Sequence, residues 1–527
     1  MHLLSHFLPW MSLTGGLLAQ GKMFHWPSPE MDWIDAVIYE QPFFERLTGN
    51  CAARDNTTVA AQWIRMAFHD MSTHNVEDGT GGLDASVIFE FDCDENVGLN
   101  RSIGDFLGFS APFFSLADII AAGLVVGSVS CGGPTVPYRA GRIDATSAGP
   151  LGVPQPQEDL QLLTERFEKA GFTQSEMIVL TACGHAFGGV TQQDFPEVLK
   201  DSSFLFFNNK TKLFDNGVVT QYLDGSTQNP LVIGVNETMN SDRRIFESDG
   251  NSTMQSLSSM DSFTTTCATL FERMINTVPS SVTLTDVIDP FDFKVGTARL
   301  SVSNVSDTLV MTTKLRLLDP KENANRQVNL VWVDRDGSSS CGESCSSPAW
   351  NSSKIGTTLL TRGHGKTAVE YEFLVDNIDP KKPIGKFWFE IDEKDGSPKT
   401  ELKNDDGSGY VITEHNVLYD VTRSRVTFDN AQRNFTSLFV IAVKDEYAND
   451  AQVRLQTFNP FALPFRTAVL EAAPDPQFPK TAGYSFFSVS PEPLTSSFDI
   501  YYGDVAPGNL RQKFGLVFEA KNVTILR

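Results

Sequence analysis

The sequence predicts a mainly α domain followed by one or two β-sandwich-like units. Up to about residue 282 the apolar residues recur at helical spacing between recognisable caps. Beyond that point short alternating or β-branched runs are separated by turn residues. Of 527 residues, 41% are hydrophobic and 11% aromatic, enough to fill real cores and to exclude wholesale disorder. The 42 basic against 65 acidic side chains give a net charge of −23. That balance argues against nucleic acid or an anionic membrane as partner, since both select a basic face.

In the first half, Val59–His69 and Ser115–Val129 read as helices, the second opened by Ser115 and Asp118 as a capping box. Leu160–Ala170 is amphipathic and stops at Gly171. Thr173–Phe187 opens with Thr173 and Glu176 as another capping box, and Ser262–Val278 is stopped by Pro279. Ile119–Tyr138 carries no charge, but Cys131-Gly132-Gly133-Pro134 breaks it short of a bilayer span, so a buried helix ending near Ser130 is expected. Strands are expected at Arg299–Val302, Leu309–Leu317, Val328–Val333, Ala368–Val375, Lys386–Ile391, Leu438–Val443, Val453–Phe458, Tyr484–Val489, Phe498–Tyr502 and Gly515–Phe518. The domain reading is therefore 1–19 a signal segment, 20–282 the helical domain, and 283–527 a β-rich region, divided near 400–430 if it holds two units.

Residues 1–19 are apolar, lack acidic residues and end in small ones, as a secretory signal cleaved near Ala19 would. A short buried helix is the alternative. Nine N-x-S/T acceptors, at Asn56, Asn100, Asn209, Asn236, Asn251, Asn304, Asn351, Asn434 and Asn522, fit a secreted glycoprotein. Seven cysteines are too few for a disulfide scaffold. Cys341 and Cys345 can close a small loop, and five in the N-terminal half leave at least one thiol without an intramolecular partner.

Two places carry candidate chemistry. Arg65 and His69 lie four apart on one face of an otherwise apolar helix, which is costly unless something binds between them. His185 follows the apolar turn Met177–Leu180, where a neutral imidazole needs a partner for its N–H and can offer its other nitrogen to a metal. Taken singly, each is as readily a satisfied structural side chain.

Their joint pattern resembles the plant, fungal and bacterial haem peroxidase superfamily, most closely its secreted fungal branch, over residues 51 to about 279. The matching pieces stand in the family's order: Arg65-x-x-Phe68-His69-Asp70, Gly82-Leu83-Asp84-Ala85-Ser86, Glu90 with Asn96-Val97-Gly98-Leu99, and Ser115-Leu116-Ala117-Asp118. Then come Gly132-Gly133-Pro134 with Gly141-Arg142-Ile143-Asp144, Gly171-Phe172 to Glu176-Met177, Gly184-His185, Phe214-Asp215-Asn216 and Glu247-Ser248-Asp249. The resemblance implies haem b between two helices with His185 on the iron, Asp249 accepting the other N–H of His185, and Phe207 stacked beneath that imidazole. It implies His69 as general base on hydrogen peroxide and Arg65 as stabiliser of the developing charge. Asn96, backed by Glu90, would fix the His69 tautomer, and Phe68 would wall the pocket.

The resemblance also implies a distal calcium held by Asp70, the Gly82 carbonyl, Asp84 and Ser86, and a Cys51–Cys131 disulfide. Departures narrow the rest. Ala186, Asn208 and Lys210 stand where a proximal calcium site would need oxygen ligands. Thr58, Gln62 and Thr191 occupy the acidic manganese-ligand positions, Leu180 the exposed-tryptophan position, and Asp194 the position of an ascorbate-binding arginine. What remains is a secreted peroxidase oxidising small phenolic or other one-electron donors at the haem edge. The competing expectation is a secreted binding or adhesion protein on a peroxidase scaffold. In either case residues 283–527 could attach the protein to wall polysaccharide, with Trp332, Trp388, Tyr501 and Tyr502 as stacking residues or, more simply, as core.

Overall fold

The computed structural model describes residues 26–526 except 41–42, 201, 209–212, 319–320, 340, 343, 364 and 405. The expected signal segment 1–19, the acceptor Asn209 and Lys210 lie outside the described residues.

The helical half is built on α1 (Pro29–Asp35), α2 (Val59–Met71), α3 (Leu116–Ser130), α4 (Leu160–Lys169), α5 (Gln174–Gly184), α6 (Pro230–Ile233), α7 (Ser241–Phe246) and α8 (Met260–Ile275). Its main core is an apolar cluster in which α3 is buried along nearly its whole length, packed against α2, and a smaller cluster gathers Val190, Val198, Leu199, Phe207 and Leu231. No described helix is long and apolar enough to cross a membrane. Thr173 and Glu176 form a complete capping box at α5. The expected box at α3 is only half formed. Ser115 Oγ accepts the Asp118 N–H, but the Asp118 carboxylate turns away to the buried Arg142 guanidinium (2.9 Å) and the Gly141 and Arg142 N–H groups. Asp144 takes over the start of α3, accepting from Leu116 and Ala117 N–H. Disulfides Cys51–Cys131 and Cys183–Cys267 staple this half, and Cys341–Cys345 closes the small loop. Cys93 is the free thiol among the described residues.

The β-rich half begins with β1 (Phe293–Val302), β2 (Leu309–Leu318), β3 (Gln327–Asp334), β4 (Cys345–Pro348), β5 (Asn351–Ile355), β6 (Ala368–Ile378), β7 (Ile384–Asp392), β8 (Thr400–Leu402) and β9 (Tyr410–Val411). They form two sheets, ordered β1-β2-β6-β5 and β8-β7-β3-β4, with β9 also on β7. Then follow β10 (Val417–Tyr419), β11 (Arg425–Asp429), β12 (Asn434–Lys444), β13 (Val453–Asn459), β14 (Arg466–Pro474), β15 (Tyr484–Val489), β16 (Ser497–Tyr502), β17 (Leu510–Leu516) and β18 (Asn522–Leu526). These make one sheet path, β17-β16-β13-β14-β15-β12-β11-β18, with β10 on β12. Strand β12 is buried on both faces and alternates accordingly. Val440 and Ala442 enter the core of the preceding sheets, while Phe439, Ile441 and Val443 enter the core of its own. The strand expected at Gly515–Phe518 instead ends at Leu516 and gives way to a single 3₁₀ turn. The four aromatics considered for stacking do not share an open platform. Trp332 packs on the core, Lys403 lies over Trp388, Tyr501 is buried, and the Tyr502 hydroxyl donates to the Tyr447 carbonyl.

The halves meet through residues 26–46 and through direct packing of Leu360 and Phe514 on the helical core. Trp26 reaches into the β core and exchanges hydrogen bonds with Asn404, while Trp33 lies between the Phe109 carbonyl and the Phe514 ring. Beneath this, Lys294 Nζ contacts Asp32 (2.7 Å), Asp35 (3.0 Å) and Glu40 (2.5 Å), and Arg316 reaches Asp35 at 2.6 Å. Lys294, Arg316 and Asp35 are buried. Removing one partner from such a cluster leaves a buried charge uncompensated, at a cost of roughly 3–5 kcal/mol. Lys294→Met is therefore expected to lower the unfolding free energy of the full chain by about that amount in urea titration. A loss under about 1 kcal/mol, the range of an exposed pair, would contradict the junction described here.

Candidate active site

Helix α2 is apolar on the side facing α3 and presents Arg65, Phe68 and His69 to a cleft. His185, at the C-cap of α5 rather than deep inside the helix, lines the same cleft from the other side with Phe207 and Asp242. The Cys183–Cys267 bond fixes the end of α5 to α8 just before His185.

On the α2 side, His69 Nδ1 lies 2.9 Å from Asn96 Oδ1. The Asn96 amide nitrogen donates to the Glu90 carbonyl and carboxylate (3.3 and 3.4 Å), and Glu90 accepts the Gly149 N–H at 2.6 Å. This chain orients the Asn96 amide, so its oxygen receives the His69 Nδ1 proton and Nε2 is left with the lone pair. Arg65 Nε donates to that Nε2 at 3.1 Å, its Nη1 donates to the Val97 carbonyl at 2.8 Å, and the guanidinium lies 5.4 Å from the Phe195 ring centre. Burial, then the Arg65 charge, holds the His69 pKa well below 6.5 despite the Asn96 bond. Burial also lowers Arg65, to about 10, which leaves it cationic at neutral pH.

On the α5 side, His185 Nδ1 donates to Asp242 Oδ2 at 2.7 Å, and the Phe207 ring stacks on the imidazole at 4.0 Å and 13°. Asp242 is buried; His185 is 28% exposed, through the cleft. Here the sequence expectation for Asp249 is corrected. Its Oδ2 accepts from Thr253 N–H and Oγ1 (2.9 and 2.6 Å), so it caps the next short helix instead of reaching His185. Ser241-Asp242 and Ser248-Asp249 are the same dipeptide seven residues apart. Linear pattern does not separate them. Asn229, which donates to Asp242, was also missed.

With Nδ1–H committed to Asp242, His185 turns a lone-pair nitrogen to the cleft, the donor a haem iron takes. The paired apolar walls and opposed histidines fit a haem. At the expected calcium site, Asp70 accepts from Ala85 and Val87 N–H (2.7 and 3.0 Å), Asp84 accepts the Ser86 N–H (3.0 Å), and the Gly82 carbonyl faces Thr73 Oγ1. Burial, then the Asp84 charge, raises Asp70 well above the usual carboxylate range. The Ser86 hydroxyl is buried beside Asp84 without a hydrogen bond of ordinary geometry. Two crowded carboxylates, a carbonyl and an unspent hydroxyl fit a hard divalent cation. Asn208, at the other expected ion position, donates its amide to Asp215 at 3.4 Å.

Residues 46–262 match the family model described as Peroxidase, and this chain carries a domain of that family. A WSC domain-containing protein of Arthroderma benhamiae is 39% identical over 296 residues, covering 54% of this chain and 41% of that protein. Putative L-ascorbate peroxidase 6 of Arabidopsis thaliana is 34% identical over 137 residues, 24% of this chain and 41% of that protein. Versatile peroxidase VPS1 of Pleurotus eryngii is 32% identical over 132 residues, 23% and 36% of the two chains. The matches thus span about two-fifths of these relatives' lengths.

The depressed His69 pKa has a consequence for stability. Between the folded value and about 6.5 the unfolded chain binds a proton at His69 that the folded protein refuses. This contribution is fully present above about pH 6.5 and is lost as pH falls toward the folded value. The unfolding free energy of the native protein should therefore fall more steeply than that of His69→Gln on acidification from about pH 7 to 5. Equal slopes would show that His69 titrates normally.

Proposed function

We propose that this chain is a secreted haem peroxidase that uses hydrogen peroxide to oxidise small phenolic or other one-electron donors. The observation that carries the proposal is the pairing of His69–Asn96–Arg65 with His185–Asp242 across one cleft.

A bound haem supplies the redox centre that takes two oxidising equivalents from peroxide and passes them on singly. His185 would hold its iron through Nε2. Asp242 keeps the His185 proton on Nδ1 and raises the basicity of the ligating nitrogen. Phe207 holds the ring plane. His69 Nε2, with its lone pair facing the cleft, would accept a proton from bound peroxide and hand it on to the oxygen that departs as water. Neutrality is required for this, and burial beside Arg65 maintains it. Arg65, already within 3.1 Å of His69 Nε2, stabilises the negative charge that develops on the outer oxygen. Asn96 prevents the tautomer flip that would disarm Nε2. Phe68 narrows the space above.

The same residues favour small organic donors. Thr58 caps α2, Gln62 accepts from Arg54, and Thr191 donates to Asp194, so the expected manganese positions hold neutral, engaged groups. Asp194 is itself neutralised by a bidentate pair with Arg101 (2.7 and 2.8 Å). Leu180 is buried and cannot serve as a surface relay. Attachment to a wall polymer finds no platform in Trp332, Trp388, Tyr501 and Tyr502, so the cleft alone carries the assignment.

Purified protein is expected to bind haem and to oxidise a small phenol only with peroxide. His69→Ala and Arg65→Ala should each lower kcat/KM for peroxide by roughly 10²–10⁴-fold with haem retained. Full activity in either variant overturns the assignment. Calcium should raise the Tm of the wild type and a chelator should lower it, by mass action on the folded state. In Asp84→Ala the two values should coincide; an unchanged calcium response would move the ion away from Asp70, Gly82, Asp84 and Ser86.

A further inference from the structure

Resting on the haem reading above, we infer that Asn229 is a positioning residue that weakens the pull of Asp242 on His185 and so sets the electron richness of the axial ligand. Asp242 Oδ2 accepts two hydrogen bonds, from His185 Nδ1 at 2.7 Å and from Asn229 Nδ2 at 2.7 Å. Its other oxygen, Oδ1, is buried and receives none. Both donors therefore compete for one oxygen, and every bond from Asn229 draws density from the bond that polarises His185.

The amide cannot turn over. Asn229 is buried at the N-cap of α6, where its Oδ1 accepts the Leu231 N–H at 2.9 Å, and its own N–H donates to Thr227 Oγ1 at 3.1 Å. With Oδ1 spent on the helix, only Nδ2 faces Asp242. Helix α6 runs Pro230–Ile233, so Pro230 at its first position fixes the backbone immediately after Asn229. The cap thus delivers the amide to Asp242 at a defined angle. A structural role alone would need the cap and not the second donor.

A serine separates the two roles. It caps α6 through its hydroxyl but is too short to reach Asp242. In haem-loaded Asn229→Ser, Asp242 should pull harder on His185. The iron–histidine stretching frequency of the ferrous protein should rise, and its ferric/ferrous reduction potential should fall, relative to wild type. Asn229→Thr, which keeps a capping hydroxyl with different bulk, should move both readouts the same way. Asp242→Asn, which weakens the acceptor, should move both oppositely. Unmoved frequency and potential in Asn229→Ser and Asn229→Thr with haem bound overturn the inference, as does loss of haem from both variants. A wild-type protein without histidine-ligated haem overturns the functional reading instead.

Discussion

Everything at the cleft depends on where two protons sit. His69 and His185 both keep theirs on Nδ1 because an oxygen acceptor waits there, Asn96 Oδ1 for one and Asp242 Oδ2 for the other. Both therefore turn an Nε2 lone pair inward. The acceptors differ in charge, and this separates the roles. A neutral amide holds His69 without making it cationic, and buried Arg65 beside it opposes protonation further. A buried carboxylate behind His185 favours proton sharing and a more basic ligand. Under the proposed function the same ring would carry a proton on one side and hold an iron on the other.

The acceptors need support, and the structure supplies it differently on the two sides. Asn96 ends a short 3₁₀ turn, Asp94–Asn96, and its orientation is settled by Glu90, which is in turn held by Gly149. Asp242 lies in the first turn of α7, close to α5, whose end the Cys183–Cys267 bond fixes to α8. The buried Arg142–Asp118 pair anchors α3, against which α2 packs, and so fixes the height of Arg65 and His69. Removing one partner of such a pair would leave an uncompensated charge in the core.

Much of this was legible in the sequence, for identifiable reasons. The helix positions followed from apolar spacing and caps, and the strong strands from period-two runs. Motif and spacing single out Arg65, His69, His185 and Phe207, which line one cleft, and Asn96, which bonds His69 behind it. The resemblance of Glu247-Ser248-Asp249 to the family pattern points to Asp249, and only tertiary placement shows that Asp242, in a like Ser-Asp pair seven residues earlier, reaches His185. The half-formed box at Ser115 failed because Arg142, a residue 24 positions beyond Asp118, outbids the local backbone N–H for its carboxylate. Short strands such as β8, β9 and β10 carry too few residues for periodicity to register.

The segment before the matched domain was the least legible part, and it explains why the two halves form one body. Residues 29–40 carry Asp32, Asp35 and Glu40 on a short helix and its following turn, a pattern that reads as a solvated face. Their partners, Lys294 and Arg316, lie more than 250 residues away on β1 and β2, where each would be an isolated charge in a buried strand. Neither set makes sense alone. Three carboxylates and two cations desolvated together tolerate little displacement, because each depends on the others for compensation. The apolar contacts of Trp26, Trp33 and Phe514 would permit sliding between the halves; the charge cluster fixes a single register. The β-rich half is thereby held to the domain through residues that precede Cys51 as well as through Leu360 and Phe514, and β1 starts only eleven residues after Val282.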